Sequence, residues 1–133
     1  MSATSITFAG RRAAERLMVD TCTVRRVASH TTDPETGVIT PTYSTIYAGK
    51  CKVQRNPAPT NSRPTSVGEA EVFLAYIELH LPTSATGVDS DDMATIDTSA
   101  LDPDLVGVVF HLRELAHKTF QTARRFGVQE VTS

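Results

Sequence analysis

The stretch Glu-Ala-Glu-Val-Phe-Leu-Ala-Tyr-Ile-Glu-Leu-His-Leu, at residues 69–81, decides the fold class of this 133-residue chain. Its side chains alternate between two faces, as they do in a β-strand. From residue 73 onward one face is apolar and carries Phe73, Ala75, Ile77, Leu79 and Leu81. The other face begins apolar and turns polar at Glu78 and His80. We therefore expect a largely buried strand that ends at Pro82, because proline cannot donate a hydrogen bond to a sheet.

Further strands are predicted on both sides of this segment. Alternating or β-branched residues favour strands at Thr21–Val27, Val38–Tyr47, Gly49–Arg55, Met93–Asp97, Val108–Arg113 and Thr119–Val131. Between the first two, Asp33-Pro34-Glu35-Thr36-Gly37 has the composition of a tight turn. The sequence predicts an all-β fold, a small antiparallel β-barrel of about six strands with long loops and a short N-terminal helix.

The chain divides into an arm and one domain. Residues 1–18 are predicted to form a flexible N-terminal arm, disordered or adaptable over residues 1–8 and a short basic helix over Ala9–Met18. Residues 19–133 form a single β-barrel domain. Within it, residues 56–67 contain three prolines and almost no apolar side chains. We expect this segment to be an extended loop that only a partner orders, because it has no apolar anchor of its own.

Composition argues against several classes of protein. The formal net charge is -2, which disfavours broad DNA binding by the isolated chain. The chain has no tryptophan and 6% aromatic residues, so a large base-stacking platform is not expected. The sequence contains no apolar run long enough for a transmembrane helix and no signal-peptide core, so no membrane partner is predicted. Cys22 and Cys51 are expected to be buried, reduced thiols.

Residue types used in catalysis and metal binding do not converge in the sequence. The histidines lack the spacing of a metal-binding helix; they are His30, His80, His111 and His117. Zinc bound by both cysteines with two histidines, or calcium bound by the aspartates of residues 89–92, would be alternatives, but solvated turn residues explain the aspartates more simply. We predict no enzymatic activity, no cofactor and no metal site.

Basic residues are the candidates for contacts with other molecules. They are Arg11, Arg12 and Arg16 in the predicted helix, Arg55 and Arg63 beside the proline-rich segment, and Arg124 and Arg125 in the last strand. They could contact phosphates or acidic partner surfaces. The alternative interpretation is that these residues form a solvated face or salt bridges between subunits.

Several segments together resemble a known family. They are Leu17–Arg26, Asp33–Gly37, Tyr47–Gln54, Leu81-Pro82, Asp91-Asp92 and Asp102–Gly107. Their order and spacing over residues 14–131 are similar to those of the head-closure, or stopper, proteins of long-tailed bacteriophages, especially phages of actinobacterial hosts.

The resemblance implies a structural virion protein without catalytic residues. Such a subunit forms a homo-oligomeric ring in the neck, below the portal and adaptor rings and above the tail terminator and tail tube. The ring closes the head, surrounds packaged double-stranded DNA non-specifically and offers a docking surface to the tail. The implied location is the virion neck, with the host cytoplasm as the site of assembly.

Two other functions remain open at this point. One is a different virion ring, a tail terminator or an adaptor. The other is an OB-like module that binds single-stranded nucleic acid through exposed aromatic residues beside a basic groove. The second is disfavoured because we expect most aromatic side chains to lie in the core; they are Phe73, Tyr76, Phe110, Phe120 and Phe126.

Overall fold

A computed structural model describes residues 2–56, 65–67, 70–72, 76–115 and 117–131. In these residues, one helix precedes eight strands. The elements are α1 (Ala3–Arg16), β1 (Asp20–Thr32), β2 (Ile39–Asn56), β3 (Thr65–Val67), β4 (Ala70–Val72), β5 (Tyr76–Leu81), β6 (Met93–Ser99), β7 (Val109–Leu115) and β8 (Arg124–Glu130), with a 3-10 turn at Pro103–Leu105 between β6 and β7.

Six of the strands form one sheet that closes on itself, in the order β1-β2-β5-β8-β7-β6. Every neighbouring pair is antiparallel, and β1 completes the ring by pairing with both β2 and β6. Strands β3 and β4 form a separate two-stranded antiparallel sheet. The prediction of a mostly antiparallel β protein with an N-terminal helix is confirmed.

Alternation along the strands fills the interior of the closed sheet. Leu79 and Leu81 of β5 are fully buried, as the sequence predicts. They lie in one cluster with Ile96, Phe110, Leu112 and Phe126 from the other strands. His80 lies on the opposite face of β5 and is also buried, so the polar end of this strand is covered on both sides.

The predicted strands Val38–Tyr47 and Gly49–Arg55 are one continuous strand, β2. Gly49 lies within this strand and leaves room for the Tyr47 side chain. Any other residue would place a Cβ atom 2.8 Å from the Tyr47 hydroxyl oxygen, which is too close. That hydroxyl donates a hydrogen bond of 2.7 Å to the Lys50 carbonyl. Pro41 does not interrupt β2; it lies opposite His30 of β1 in a two-stranded region where proline is tolerated.

Helix α1 begins at Ala3 rather than Ala9, so the expectation of disorder is wrong for residues 3–8. The Ser2 hydroxyl accepts a hydrogen bond of 3.2 Å from the Ser5 amide and caps the helix. The Thr7 hydroxyl donates to the Ala3 carbonyl at 2.8 Å. The cap signal therefore extends the helix through a Ser/Thr-rich stretch with modest helix propensity.

The proline-rich segment predicted at residues 56–67 has strands at both ends. Asn56 ends β2, and Thr65–Val67 forms β3, which pairs with β4. These ends therefore correct the prediction of a continuous loop. Residues 57–64, which include Arg63, lie outside the described residues.

Cys22 and Cys51 are free and buried, on neighbouring strands. A hydrogen bond with the Cys22 thiol, reinforced by burial, raises the pKa of the Cys51 thiol. A thiol held protonated in this way reacts slowly with oxidants and alkylating reagents. We expect the intact mass of the native protein, measured under denaturing, non-reducing conditions, to correspond to two free thiols. A mass lower by two hydrogens would contradict this.

Candidate partner-binding surfaces

The β1–β2 arm, defined here as residues 26–45, extends beyond the closed sheet. Strand β1 pairs with β6 only as far as Arg25, and β2 pairs with β5 only from Lys52 onward. Between these limits the two strands pair with each other, and nearly every residue is exposed. Val27 lies opposite Tyr43, and both side chains are about half exposed. Isolated two-stranded hairpins are marginally stable, and open strand edges favour pairing with another chain.

An ion pair fixes the base of this arm. Arg26 donates to the Asp92 carboxylate through Nε at 2.8 Å and Nη2 at 2.9 Å. Nη2 also donates to the Gly87 carbonyl at 2.7 Å. The hydrogen bond and the charge of Asp92 raise the pKa of the Arg26 guanidinium. The arm is therefore tied to the loop between β5 and β6.

Asp92 corrects the expectation that residues 89–92 are solvated turn residues. Its side chain is 2% exposed, and it also accepts a hydrogen bond of 2.9 Å from the Asp89 amide. Asp89 and Asp91 are exposed, as the sequence predicts. Among the described residues, no group of three or more histidine, cysteine or acidic side chains could hold a metal ion. Among the three aspartates of this loop, Asp92 is the one that is buried.

A cavity of about 400 Å³ lies at the end of the closed sheet where β2 ends and β7 begins. Its apolar lining residues are Val53, Ile77, Leu105, Val108 and Phe110. Its charged residues are Arg55, Asp102, Asp104 and Glu130. Asp102 is held in place because its carboxylate accepts a hydrogen bond of 3.1 Å from the Asp104 amide. The cavity thus combines an apolar floor with an excess of carboxylates.

Two grooves on the outer surface of the sheet adjoin this cavity. A groove of about 500 Å³ shares Val108 and Glu130 with the cavity and adds Val106 and Val131. A smaller one, of about 190 Å³, shares Met93 and Val109 with that groove and reaches Tyr43 of the arm. We call the cavity and its two extensions the acceptor groove. Its walls are largely apolar and open to solvent.

Helix α1 rests on the β7–β8 connection through small and polar side chains. Thr7 is buried, and the Cα of Gly10 lies so close to Thr122 that a Cβ atom would be 2.8 Å from its methyl group. Arg11 donates through Nε to the Gln121 carbonyl at 3.1 Å, and its guanidinium lies 5.5 Å from the centre of the Phe8 ring. Arg11, a predicted contact residue, is therefore engaged within its own chain.

The other basic residues of α1 face solvent. Arg12 and Arg16 line a groove of about 300 Å³ together with Glu15 and Lys50. We call this the basic groove. Lys50 is not among the contact residues predicted from the sequence. It lies in an alternating strand, and that pattern does not reveal that α1 lies beside it.

Arg125 belongs to a row of basic residues on the outer face of the sheet. Lys52, His80 and Arg125 lie side by side on β2, β5 and β8. Arg124, next to it, donates instead to the Thr83 carbonyl at 3.0 Å. The structure therefore separates the predicted basic residues into different surfaces and does not bring them together in one site.

Burial lowers the pKa of His80, and the positive charges of Arg125 and Lys52 lower it further. Glu78, whose carboxylate lies 2.8 Å from Nε2, acts in the opposite direction. The pKa of His80 is therefore lower in the folded chain than its ordinary value of 6.5 in the unfolded chain, so the unfolded chain binds the imidazole proton more readily. The free energy of unfolding should fall as the pH drops below 6.5 and continue to fall until the pH passes the folded pKa. In urea titrations between pH 7.5 and pH 5, H80Q should lose part of this pH dependence. An unchanged pH dependence would contradict it.

The aromatic residues are only partly in the core. Phe110 and Phe126 are buried, as predicted, whereas Phe120 is 54% exposed, which corrects the expectation for that residue. Phe73 and the side chain of Tyr76 lie outside the described part of the chain. No helix in the described segments has the length and apolarity needed to span a membrane.

Searches of curated proteins and of solved structures find no match. A profile described as "Family of unknown function (DUF6093)" matches residues 10–129, which include the second half of α1 and the whole closed sheet except Glu130, the last residue of β8. The chain therefore belongs to the DUF6093 family.

Proposed function

We propose that this chain is a structural subunit of the neck of a tailed bacteriophage. Copies of it form a ring below the portal and adaptor, close the DNA-filled head and provide the surface on which the tail docks. In this proposal the closed sheet is a β-barrel of the head-closure kind. The chain catalyses no reaction, and residues on its surface carry its function.

The observation that carries the proposal is the β1–β2 arm. A hairpin exposed on both faces, with Val27, Ile39 and Tyr43 in solvent, is costly for a chain that remains alone. The ion pair between Arg26 and Asp92 holds its base in a fixed position. A rigid base with an unpartnered end is what a subunit needs to reach a neighbouring protein.

Charged surfaces of opposite sign support the same proposal. The basic groove and the carboxylate-rich cavity are lined by different residues of one chain. A ring forms by heterologous contacts, in which one patch meets a different patch on the next copy. Two complementary patches on each subunit satisfy this requirement, and a two-fold dimer does not need them.

We expect the purified chain to be largely monomeric at micromolar concentration. The 40% apolar content of a small domain leaves little surplus surface for a large permanent interface. Ring formation should therefore require the preceding connector ring as a template. Analytical ultracentrifugation tests this directly. A stable closed ring of the isolated chain would contradict the requirement for a template.

Deletion of the gene from a phage that encodes this chain tests the function. Heads should form and package DNA, but should lose it or fail to join tails, and the chain supplied in trans should restore infectious particles. Infectious particles with joined tails in the absence of the chain would rule out a neck function. Free tails of abnormal length would point instead to a ring that ends the tail.

A further inference from the structure

We propose that helix α1 of one copy docks into the acceptor groove of the next copy. The occupant of the groove is thus a second copy of this chain. This inference rests on the proposed function, because a ring requires a head-to-tail contact, and it names the two surfaces that make that contact.

The first argument is the orientation of α1. The helix turns its small and polar residues toward its own chain, at Thr7, Gly10 and Ala14. Its large apolar residues point to solvent, since Ile6 is 57% exposed and Phe8 is 49% exposed, and the C-cap residue Leu17 is 60% exposed. An amphipathic helix ordinarily buries its larger apolar side chains. The opposite arrangement leaves an apolar side of α1 without a partner in the described residues.

The exposed residues have the spacing of a helix-binding anchor set. Ile6, Ala9, Ala13 and Leu17 follow one another at intervals of three or four residues and are all exposed. Residues with this spacing lie along one side of a helix. Recognition of a helix in a groove uses such anchors, which enter an apolar cleft together.

The second argument is the shape and lining of the acceptor groove. Its three parts adjoin one another at the rim of the sheet, where neighbouring parts share lining residues: the cavity contains the inward-facing Phe110, and the grooves contain the outward-facing Val109. Apolar side chains line most of it, and Val106 and Val131 are about half exposed on its walls. Adjoining depressions at the end of the sheet and on the outer side of β6 and β7 can receive several side chains from one helix.

Charge complementarity identifies the occupant. The end cavity carries three carboxylates and one guanidinium, a formal charge of -2, and the smaller groove adds Arg25, so the acceptor groove as a whole has a formal charge of -1. The basic groove carries Arg12, Arg16, Lys50 and one carboxylate, Glu15, a formal charge of +2. Arg12 and Arg16 lie one helical turn apart on α1. Complementary potentials of this kind fix the orientation of an interface and disfavour other partners.

The contact has to be between copies. Within its own chain, α1 is held to Gln121 and Thr122, which precede β8. The acidic cavity lies near Glu130, at the other end of β8. A seven-residue strand is about 23 Å long at 3.3 Å per residue. The helix therefore cannot occupy its own chain's groove while these contacts persist.

Cysteine cross-linking between two different chains tests the contact even when it is weak. One chain carries A13C on the exposed side of α1, and the other carries V106C on the wall of the groove. Under mild oxidation at high concentration, the mixture should give a disulfide-linked heterodimer. The control mixture pairs A13C with E35C at the exposed tip of the β1–β2 arm, and the unmodified chain controls for the two buried native thiols.

Charge reversal supplies the second arm of the test. In the V106C chain, D104K with E130K should slow cross-linking by about tenfold, because the groove would then repel α1. In the A13C chain, R12E with R16E should do the same, and combining the two reversed chains should restore the rate. Melting temperatures confirm that each variant is folded. Equal rates for the groove pair and the arm-tip pair, or no restoration, would overturn the proposal.

The two proposals fail separately. If cross-linking is specific but heads and tails join normally after gene deletion, the α1 contact is supported and the neck function is wrong. If heads and tails fail to join after deletion but cross-linking is not specific, the neck function is supported and the α1 contact is wrong.

Discussion

Replacing Phe126 with alanine should lower the free energy of unfolding by about 3–5 kcal/mol. Phe126 lies on β8, is fully buried and belongs to the central cluster of the closed sheet. Its Cα lies opposite Leu79 of β5 and Leu115 of β7, so its removal opens a cavity where three strands meet. Rigid neighbouring strands cannot close that cavity fully, and the cost therefore exceeds the loss of burial alone.

Phe120 is the matched control, since it has the same side chain with 54% of its surface exposed. F120A should change the free energy of unfolding by no more than about 0.5 kcal/mol. Urea titrations of the two variants and the parent protein give the comparison. Equal losses for F126A and F120A would mean that the interior of the sheet does not hold the fold together as described.

The second large effect is expected at Asp92. Asp92→Ala should lower the free energy of unfolding by about 2–3 kcal/mol, because it removes the acceptor for Arg26 and for the Asp89 amide. Arg26 can turn toward water, so the loss stays below that of a fully buried pair. The β1–β2 arm should also become more mobile, since Arg26 lies at its base.

Two measurements check this prediction. Urea titration gives the stability, with Asp104→Ala, a change at an exposed aspartate, as the control. Hydrogen exchange gives the mobility: amides of residues 26–45 should exchange faster in Asp92→Ala, while those of β5 and β8 should respond only to the change in global stability. Unchanged exchange in the arm would show that the ion pair does not restrain it.

Features that depend on local interactions could be predicted from the sequence. In the turn at residues 33–37, the Asp33 carboxylate accepts a hydrogen bond of 2.8 Å from the Glu35 amide. That bond lowers the pKa of Asp33. Gly37 has a positive φ of 71°, as the turn composition implies. The buried face of β5 follows in the same way from the alternation of neighbouring residues. The prediction of a single strand over residues 69–81 is wrong, because Ala70–Val72 forms β4, which pairs with β3 outside the closed sheet, and β5 spans Tyr76–Leu81.

Features that join distant parts of the chain could not be predicted. Arg26 and Asp92 are 66 residues apart, and no sequence signal connects them. The position of α1 beside Lys50 depends on how the whole sheet closes. Phe120 is a large apolar residue of the kind usually found in a core, yet it lies in the connection between β7 and β8, outside the sheet. In each case tertiary structure decides the environment of a residue whose type is uninformative.

The sequence indicates which residue types the candidate surfaces contain, but not which residues lie together. The arginines could be recognised as contact residues, but Arg11 and Arg124 donate to backbone carbonyls within the chain. The acceptor groove combines residues from β2, β5, β6, β7, β8 and the 3-10 turn, and no short motif marks it. Apolar residues that line a groove have the same alternation as those that line a core.

A cryo-EM map of the neck of a phage that encodes this chain tests the central claim most directly. The account predicts several copies of the closed sheet arranged as one ring between the head and the tail, with the β1–β2 arm of each copy in contact with another protein. A neck in which every ring is built from other chains, in particles that lack this protein, would contradict it.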